Sequence, residues 1–191
     1  MLERLRLLVQ LTHAHRIARR YFVTNGFDGA LTMLGLIMGF YASGGVPVPV
    51  AINACLGAAI ALTVSGLSSA YVSEAAERER ELLELERALA RDLGDTAHGS
   101  AARLVPLLIA AVNGLAPLLM ALVVIAPMWV VDAGINLPLG PLESSIVVAF
   151  ATLFMLGTFL GSISGRFWLW SGLRTLVIAL LTAGIILLVG N

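Results

Sequence analysis

Five stretches of about 20 apolar residues alternate with short polar segments along this chain, at about 22–42, 50–73, 104–128, 145–165 and 168–190. Each is long enough for one helical crossing of a bilayer core, which takes roughly 20 residues. The first two are separated by the helix breakers Ser43-Gly44-Gly45-Val46-Pro47-Val48-Pro49, and the third and fourth by a longer loop from Pro127 to Pro141. Trp129, Trp168 and Trp170 fall at the expected ends of spans, where an amphipathic indole is well placed between lipid and water. The pattern predicts an all-α membrane protein with five transmembrane helices.

Two segments follow a different pattern. In residues 1–20, Leu2, Leu5, Leu8 and Val9 recur at helical spacing among Arg4, Arg6, Arg16, Arg19 and Arg20, which predicts an amphipathic helix on the membrane surface. His13 and His15, two apart, point to different faces; they are surface or packing residues, or else metal ligands of poor geometry. After Ser73 no helix breaker appears until Gly94, and the strong helix formers of 74–93 predict that the second span continues into the cytoplasm as a rod. Glu74–Arg78 at four residues, and Glu77–Arg80 and Glu84–Arg87 at three, offer ion pairs across its turns. Leu82, Leu83, Leu85 and Leu89 give the rod an apolar side that needs a partner. The expected organisation is an N-terminal helix, 1–20, followed by a five-span domain, 21–191, with a helical extension at 74–93.

Charge fixes an orientation. All twelve basic residues are arginines, and each falls before the first span, between the second and third, or around the gap between the fourth and fifth. Basic loops are held on the cytoplasmic side, so the N-terminus is expected inside, the C-terminus outside, and the chain in the cell (inner) membrane. The hydrophobic share of 59% and charged share of 13% exclude an ordinary soluble domain, and a net charge of +0 argues against nucleic-acid binding. The single cysteine, Cys55, reads as a small buried hydrophobe. No Ser-His or His-carboxylate constellation falls inside the spans, so an enzyme is not expected, nor a permanent cofactor.

Asp28 is the residue that stands out chemically. It lies in Asn25-Gly26-Phe27-Asp28-Gly29-Ala30-Leu31-Thr32, a stretch that must otherwise cross lipid. An ionisable group there costs several kcal/mol unless it meets protein, water or an ion. Asn25, Asp28, Thr32, Gly35 and Gly39 share one helical stripe of oxygen donors and small residues. The alternative is a juxtamembrane acid paired with Arg19 or Arg20. On the second helix Ser65, Ser69, Ser73, Glu77 and Glu81 recur every four residues, with Glu74 beside them. Hard oxygen donors in a line suit Fe²⁺, Mn²⁺, Mg²⁺ or protons, although serines in a span also pack helices and acids also form solvated faces. The candidate ion-binding residues are therefore Asp28, Asn25, Ser69, Ser73, Glu74, Glu77 and Glu81. Gly157, Gly161 and Gly165 form a ridge of small residues in the fourth helix that predicts tight helix packing. Asn113-Gly114, one turn before Pro117, echoes Asn25-Gly26. Met33 could reach a soft metal ion, or simply pack.

Asp28-Gly29-Ala30-Leu31-Thr32 resembles the Asp-Gly-Leu-Thr motif in the first helix of the vacuolar iron transporter family. Tyr71-Val72-Ser73 and Glu77-Arg78-Glu79 resemble part of that family's second-helix signature, Gly-Glu-Tyr-Val-Ser followed by an acidic-basic-acidic group. The resemblance implies proton-coupled export of Fe²⁺ or related divalent ions from the cytosol. It also implies a homodimer with a pathway between subunits, lined by Asp28. Two departures stand out: the family's membrane glutamate is Ala70 here, with Glu74 one turn later, and its methionine is Gly66. The family's cytoplasmic metal-collecting helices are reduced to the 74–93 rod. The expected function is thus a divalent metal/proton antiporter in the bilayer. The alternatives are a non-transporting membrane scaffold and a transporter of an organic or lipid-like substrate.

Overall fold

The computed structural model describes residues 14–165 and 167–190, and every regular element in it is helical. The five helices are α1 (Ala14–Ala42), α2 (Val48–Leu89), α3 (Ala97–Asp132), α4 (Pro141–Ile163) and α5 (Trp168–Gly190). Residues 1–13 of the expected amphipathic helix, with His13, lie outside the described residues, as do Arg166 and Asn191. From Ala14 onward no break separates that segment from the first apolar stretch: both belong to α1.

Four of the helices, α2 to α5, are long and apolar enough to cross a membrane. The chain is on this ground a multi-pass membrane protein. α1 falls short by composition, because Asn25, Asp28 and Thr32 interrupt its apolar run. The 42 residues of α2 are twice what a bilayer core requires, so the predicted continuation of the second span past Ser73 is present as unbroken helix. It stops at Leu89, four residues earlier than expected, where Ala90 takes a left-handed backbone (φ 48°). α3 begins at Ala97 and runs through Pro106, Pro117 and Pro127 to Asp132. The external loop expected from Pro127 is therefore shorter, because a helix within a membrane tolerates proline when its freed carbonyls find other partners.

The chain divides into two compact units. The first comprises residues up to Asn25 together with Thr63–Ala116, and the second Gly26–Leu62 together with Pro117–Asn191. In the first, Ala101, Val105 and Ile109 of α3 pack against Ile17 and Tyr21 of α1. Gly114 lets α3 approach α2: a Cβ there would lie 2.8 Å from the carbonyl oxygen of Thr63 and against Leu67. The corner between α2 and α3 is pinned by polar contacts. The Leu93 amide donates to the Glu86 carboxylate (2.9 Å), the Gly94 amide to Asp92 (2.7 Å) and the Arg103 guanidinium to the Gly94 carbonyl (3.1 Å). The rod's base is therefore anchored to the start of α3.

In the second unit the core is apolar and continuous, with Met33, Leu34, Ile37, Cys55, Val124, Ile125, Met128 and Leu153 buried. Cys55 is a buried thiol, as expected. Met33 sits wholly inside this core, among hydrophobic neighbours. α4 and α5 meet along Gly157 and Gly161 of the predicted glycine ridge, whereas Gly165 lies beyond the end of α4 with nothing within 4 Å of a Cβ there. A Cβ on Gly157 would strike Thr175 and come within 3.0 Å of the Gly172 Cα, and one on Gly161 would lie 2.6 Å from the Ser171 Cβ. Thr175 Oγ1 donates to Leu153 O of α4 at 3.0 Å, a bond that this close approach permits. Gly29 plays the same part for α1 and α3, since a Cβ there would lie 2.5 Å from the Pro117 Cα. All of these contacts lie within one unit.

Candidate functional site

The polar stripe of α2 exists as a helix face, and its serines are exposed. Ser68 Oγ donates back to Val64 O at 2.8 Å, while Ser69 reaches Gly66 O only at 3.5 Å, so its hydroxyl is barely engaged. Ser69 and Ser73 line a cavity of about 410 Å³ together with Ala70, Arg20, Tyr21, Thr24, Asn25 and Asn113. Three elements of the first unit meet here: the first part of α1, the middle of α2 and the middle of α3.

Asn113 is what joins them. It is only 5% exposed. Its Nδ2 donates to Gly66 O of α2 (2.7 Å), and its Oδ1 accepts from Asn25 Nδ2 of α1. Asn25 Nδ2 also donates to Tyr21 O at 3.0 Å. Both amide groups are thereby oriented, which leaves the Asn25 oxygen as an acceptor without a hydrogen bond among the described residues. A buried polar group without such partners would cost about 1–3 kcal/mol. The carbonyl of Gly66 is available to Asn113 because that residue carries no side chain: a Cβ on Gly66 would sit 3.3 Å from Asn113 Nδ2. The Arg20 guanidinium lies over the neighbouring Tyr21 ring, 5.7 Å from its centroid. Among the described residues the cavity thus offers hydroxyls, an amide oxygen and one cation, and no carboxylate lines it.

Glu74 lies one turn beyond Ala70 and is buried, 9% exposed. It faces Arg78, whose Nη2 is 3.8 Å from Glu74 Oε2 and whose Nη1 is 2.6 Å from Glu81 Oε2. The ion pair expected at Glu74–Arg78 is present. Arg80, however, pairs with Glu84 at 3.0 Å, four residues ahead, and not with Glu77. Glu84, then Glu77, raises the pKa of the exposed Arg80 guanidinium and keeps it charged. Glu77 itself is exposed.

Asp28 belongs to the second unit and does not line this cavity. It is exposed, its backbone carbonyl accepts from Thr32 Oγ1 (2.7 Å), and its carboxylate has no hydrogen bond or ion pair among the described residues. Of the seven candidate ion-binding residues, Asn25, Ser69 and Ser73 share the cavity, Glu74 and Glu81 share Arg78, and Glu77 and Asp28 stand apart. Among the described residues no three His, Cys, Asp or Glu side chains come together as a metal-binding group. Sequence reasoning missed Arg20, Tyr21, Thr24 and Asn113 as part of the site. The echo of Asn-Gly at 25–26 and 113–114 carried a usable signal, since the two asparagines bond to each other.

No family model matches the chain, and no solved structure matches it. Over 168 residues it is 30% identical to an uncharacterized protein, MJ0645, of Methanocaldococcus jannaschii, an alignment covering 86% of this chain and 84% of that protein. At that identity and coverage, the chain belongs to the same family as this uncharacterized archaeal protein.

Proposed function

We propose that the protein is a transporter that exports divalent metal ions such as Fe²⁺ or Mn²⁺ from the cytosol in exchange for protons. One observation carries this reading: Asp28, in an otherwise apolar part of α1, has a carboxylate with no counter-charge among the described residues. A lone carboxylate at the depth of lipid is expensive, and a cation or a proton relieves the cost. In this reading α1 is a fifth span that enters from the cytoplasm, and the arginine distribution puts the C-terminus outside the cell membrane. A second copy of the chain completes the ligand shell around the exposed Asp28, making a homodimer. The resemblance to the vacuolar iron transporter motifs at Asp28–Thr32 and Tyr71–Ser73 supports the same reading.

The chemistry is competition. Carboxylates with hard oxygens hold a divalent ion when ionised and release it when protonated, so a proton entering from outside displaces the ion outward. Asn25, Ser69 and Ser73 give a path of neutral oxygens along which a partly hydrated ion passes, and Glu74, Glu77 and Glu81 collect cations at the cytoplasmic end. No resident cofactor is needed, and no covalent chemistry is involved.

One observation favours a second reading. Among the described residues the 410 Å³ cavity is lined by a guanidinium, hydroxyls and amides without a carboxylate, which suits a polar organic solute better than a metal ion. Reconstitution separates the two. Liposomes carrying the purified protein and a trapped metal-sensitive dye are expected to take up Mn²⁺ faster than empty liposomes, with an accompanying counterflow of protons. Mn²⁺ entry at the rate of empty liposomes would reject metal transport and leave the organic-solute and scaffold readings.

A further inference from the structure

Ser69 and Ser73 differ from the other hydroxyls near them. Ser68 Oγ donates back to Val64 O at 2.8 Å and Thr24 Oγ1 to Arg20 O at 2.9 Å, so each is satisfied on its own helix. Ser69 Oγ is 3.5 Å from Gly66 O, at the limit of a hydrogen bond, and Ser73 Oγ makes none among the described residues. Four residues apart on α2, both line one wall of the 410 Å³ cavity. Arg20 lines it from α1 and has no ion pair among the described residues. Its guanidinium lies over the Tyr21 ring, an arrangement that leaves the N–H edge free. Against these donors stands one unused acceptor, the Asn25 side-chain oxygen, because Asn25 Nδ2 already donates to Tyr21 O and Asn113 Oδ1. A guanidinium and two idle hydroxyls, with no carboxylate among the described lining residues, call for an oxyanion.

Position narrows the choice of oxyanion. Arg20 stands just before the apolar run at about 22–42, and Ser73 closes the run at about 50–73, with Glu74 next. The cavity therefore lies where the apolar lengths of α1 and α2 meet their charged flanks, the depth at which a bilayer carries its phosphates. Its volume is in the range of small-molecule sites, about 300–1,000 Å³, and exceeds what a bare phosphate fills. We propose that this cavity binds a phosphate ester that also bears a hydroxyl group. The phosphate oxygens accept from Arg20, Ser69 and Ser73, and the ester's hydroxyl donates to the Asn25 oxygen. The headgroup of an anionic lipid and a soluble polyol phosphate share this chemistry. The site goes beyond the metal-transport reading and does not involve Asp28. A bound phosphate adds anionic oxygens beside the neutral ones of the proposed ion path, so the two readings are compatible.

The full-length protein in mild detergent tests this in two arms. Native mass spectrometry reads retention of phosphatidylglycerol against phosphatidylcholine, which has a phosphate but no hydroxyl donor. Calorimetry reads binding of glycerol 3-phosphate. In one arm or the other, Arg20→Gln is expected to weaken binding at least about tenfold, the worth of one charged hydrogen bond. The Ser69→Ala/Ser73→Ala double variant is expected to weaken it as well, and carries the test should Arg20→Gln fail to fold. Arg19→Gln is the control, since Arg19 is equally exposed but does not line the cavity, and it should bind as the parent does. An effect in the first arm identifies a lipid headgroup, and one in the second a soluble ester. Equal losses in Arg19→Gln and Arg20→Gln, no preference for phosphatidylglycerol together with no binding of glycerol 3-phosphate, or binding untouched by the Arg20 and serine variants would overturn the proposal. Ester binding through Arg20 in a protein that moves no Mn²⁺ would reject metal transport and leave this site standing.

Discussion

Asp28→Asn is expected to lose transport and gain stability. The substitution keeps the size of the side chain and its hydrogen-bonding oxygen and removes only the charge. If Asp28 holds the ion or the exchanged proton, Mn²⁺ flux in liposomes falls at least about 100-fold, equivalent to about 2.7 kcal/mol on the limiting barrier. The same change relieves a carboxylate that has no counter-charge among the described residues. The thermal midpoint of the variant should therefore equal or exceed that of the parent, with a gain of about 1–3 kcal/mol. Opposite signs in the two measurements are diagnostic. A side chain that merely ties helices together loses stability and activity in step. A variant that transports at the parental rate would remove Asp28 from the pathway.

The second large effect is structural. Gly157→Leu should separate α4 from α5, because even a methyl group at 157 meets Thr175 and approaches the Gly172 backbone to 3.0 Å. A backbone cannot yield as a flexible side chain does. Over-packing costs roughly 1–3 kcal/mol for added methylenes in a tight core. Here the Thr175–Leu153 hydrogen bond is lost as well, since it depends on the same close approach. We expect the midpoint of thermal unfolding to fall by about 5–10 °C. Gly184→Leu serves as the control, because nothing lies within 4 Å of a Cβ there. Equal losses for the two variants would mean that the ridge does not set the α4–α5 contact.

The spans were readable because lipid imposes a length on apolar runs: those at 104–128 and 168–190 fall within α3 and α5, and that at 145–165 overlaps α4 but outruns its end at Ile163. The continuation of α2 was readable from the absence of any breaker after Ser73. Its stopping point was not, because the left-handed residue there is Ala90, which carries none of the signal a glycine would. Pro127 misled in the opposite sense: proline ends helices in water more reliably than in a membrane, and α3 continues to Asp132.

At the site, periodicity placed Ser69 and Ser73 on one face of α2. It could not say that Asn113 would reach across to Gly66, since that depends on two helices touching where both carry glycine, at 66 and 114. The i,i+4 rule found Glu74–Arg78 but missed the stronger Arg78–Glu81 contact, three apart. Nor could spacing show that Glu74 is buried and the Arg78 side chain only 10% exposed while Glu77, on the adjacent face, is open. Burial is a property of what packs against the helix, and here the resulting neighbour is the wall of α3 that carries His98.

The most direct measurement is anomalous diffraction from crystals of the full-length protein soaked in Mn²⁺. A peak at direct coordination distance from the Asp28 carboxylate, absent in Asp28→Asn, is the expected outcome. Manganese bound elsewhere, with Asp28 held permanently against an arginine, would contradict metal transport through this residue.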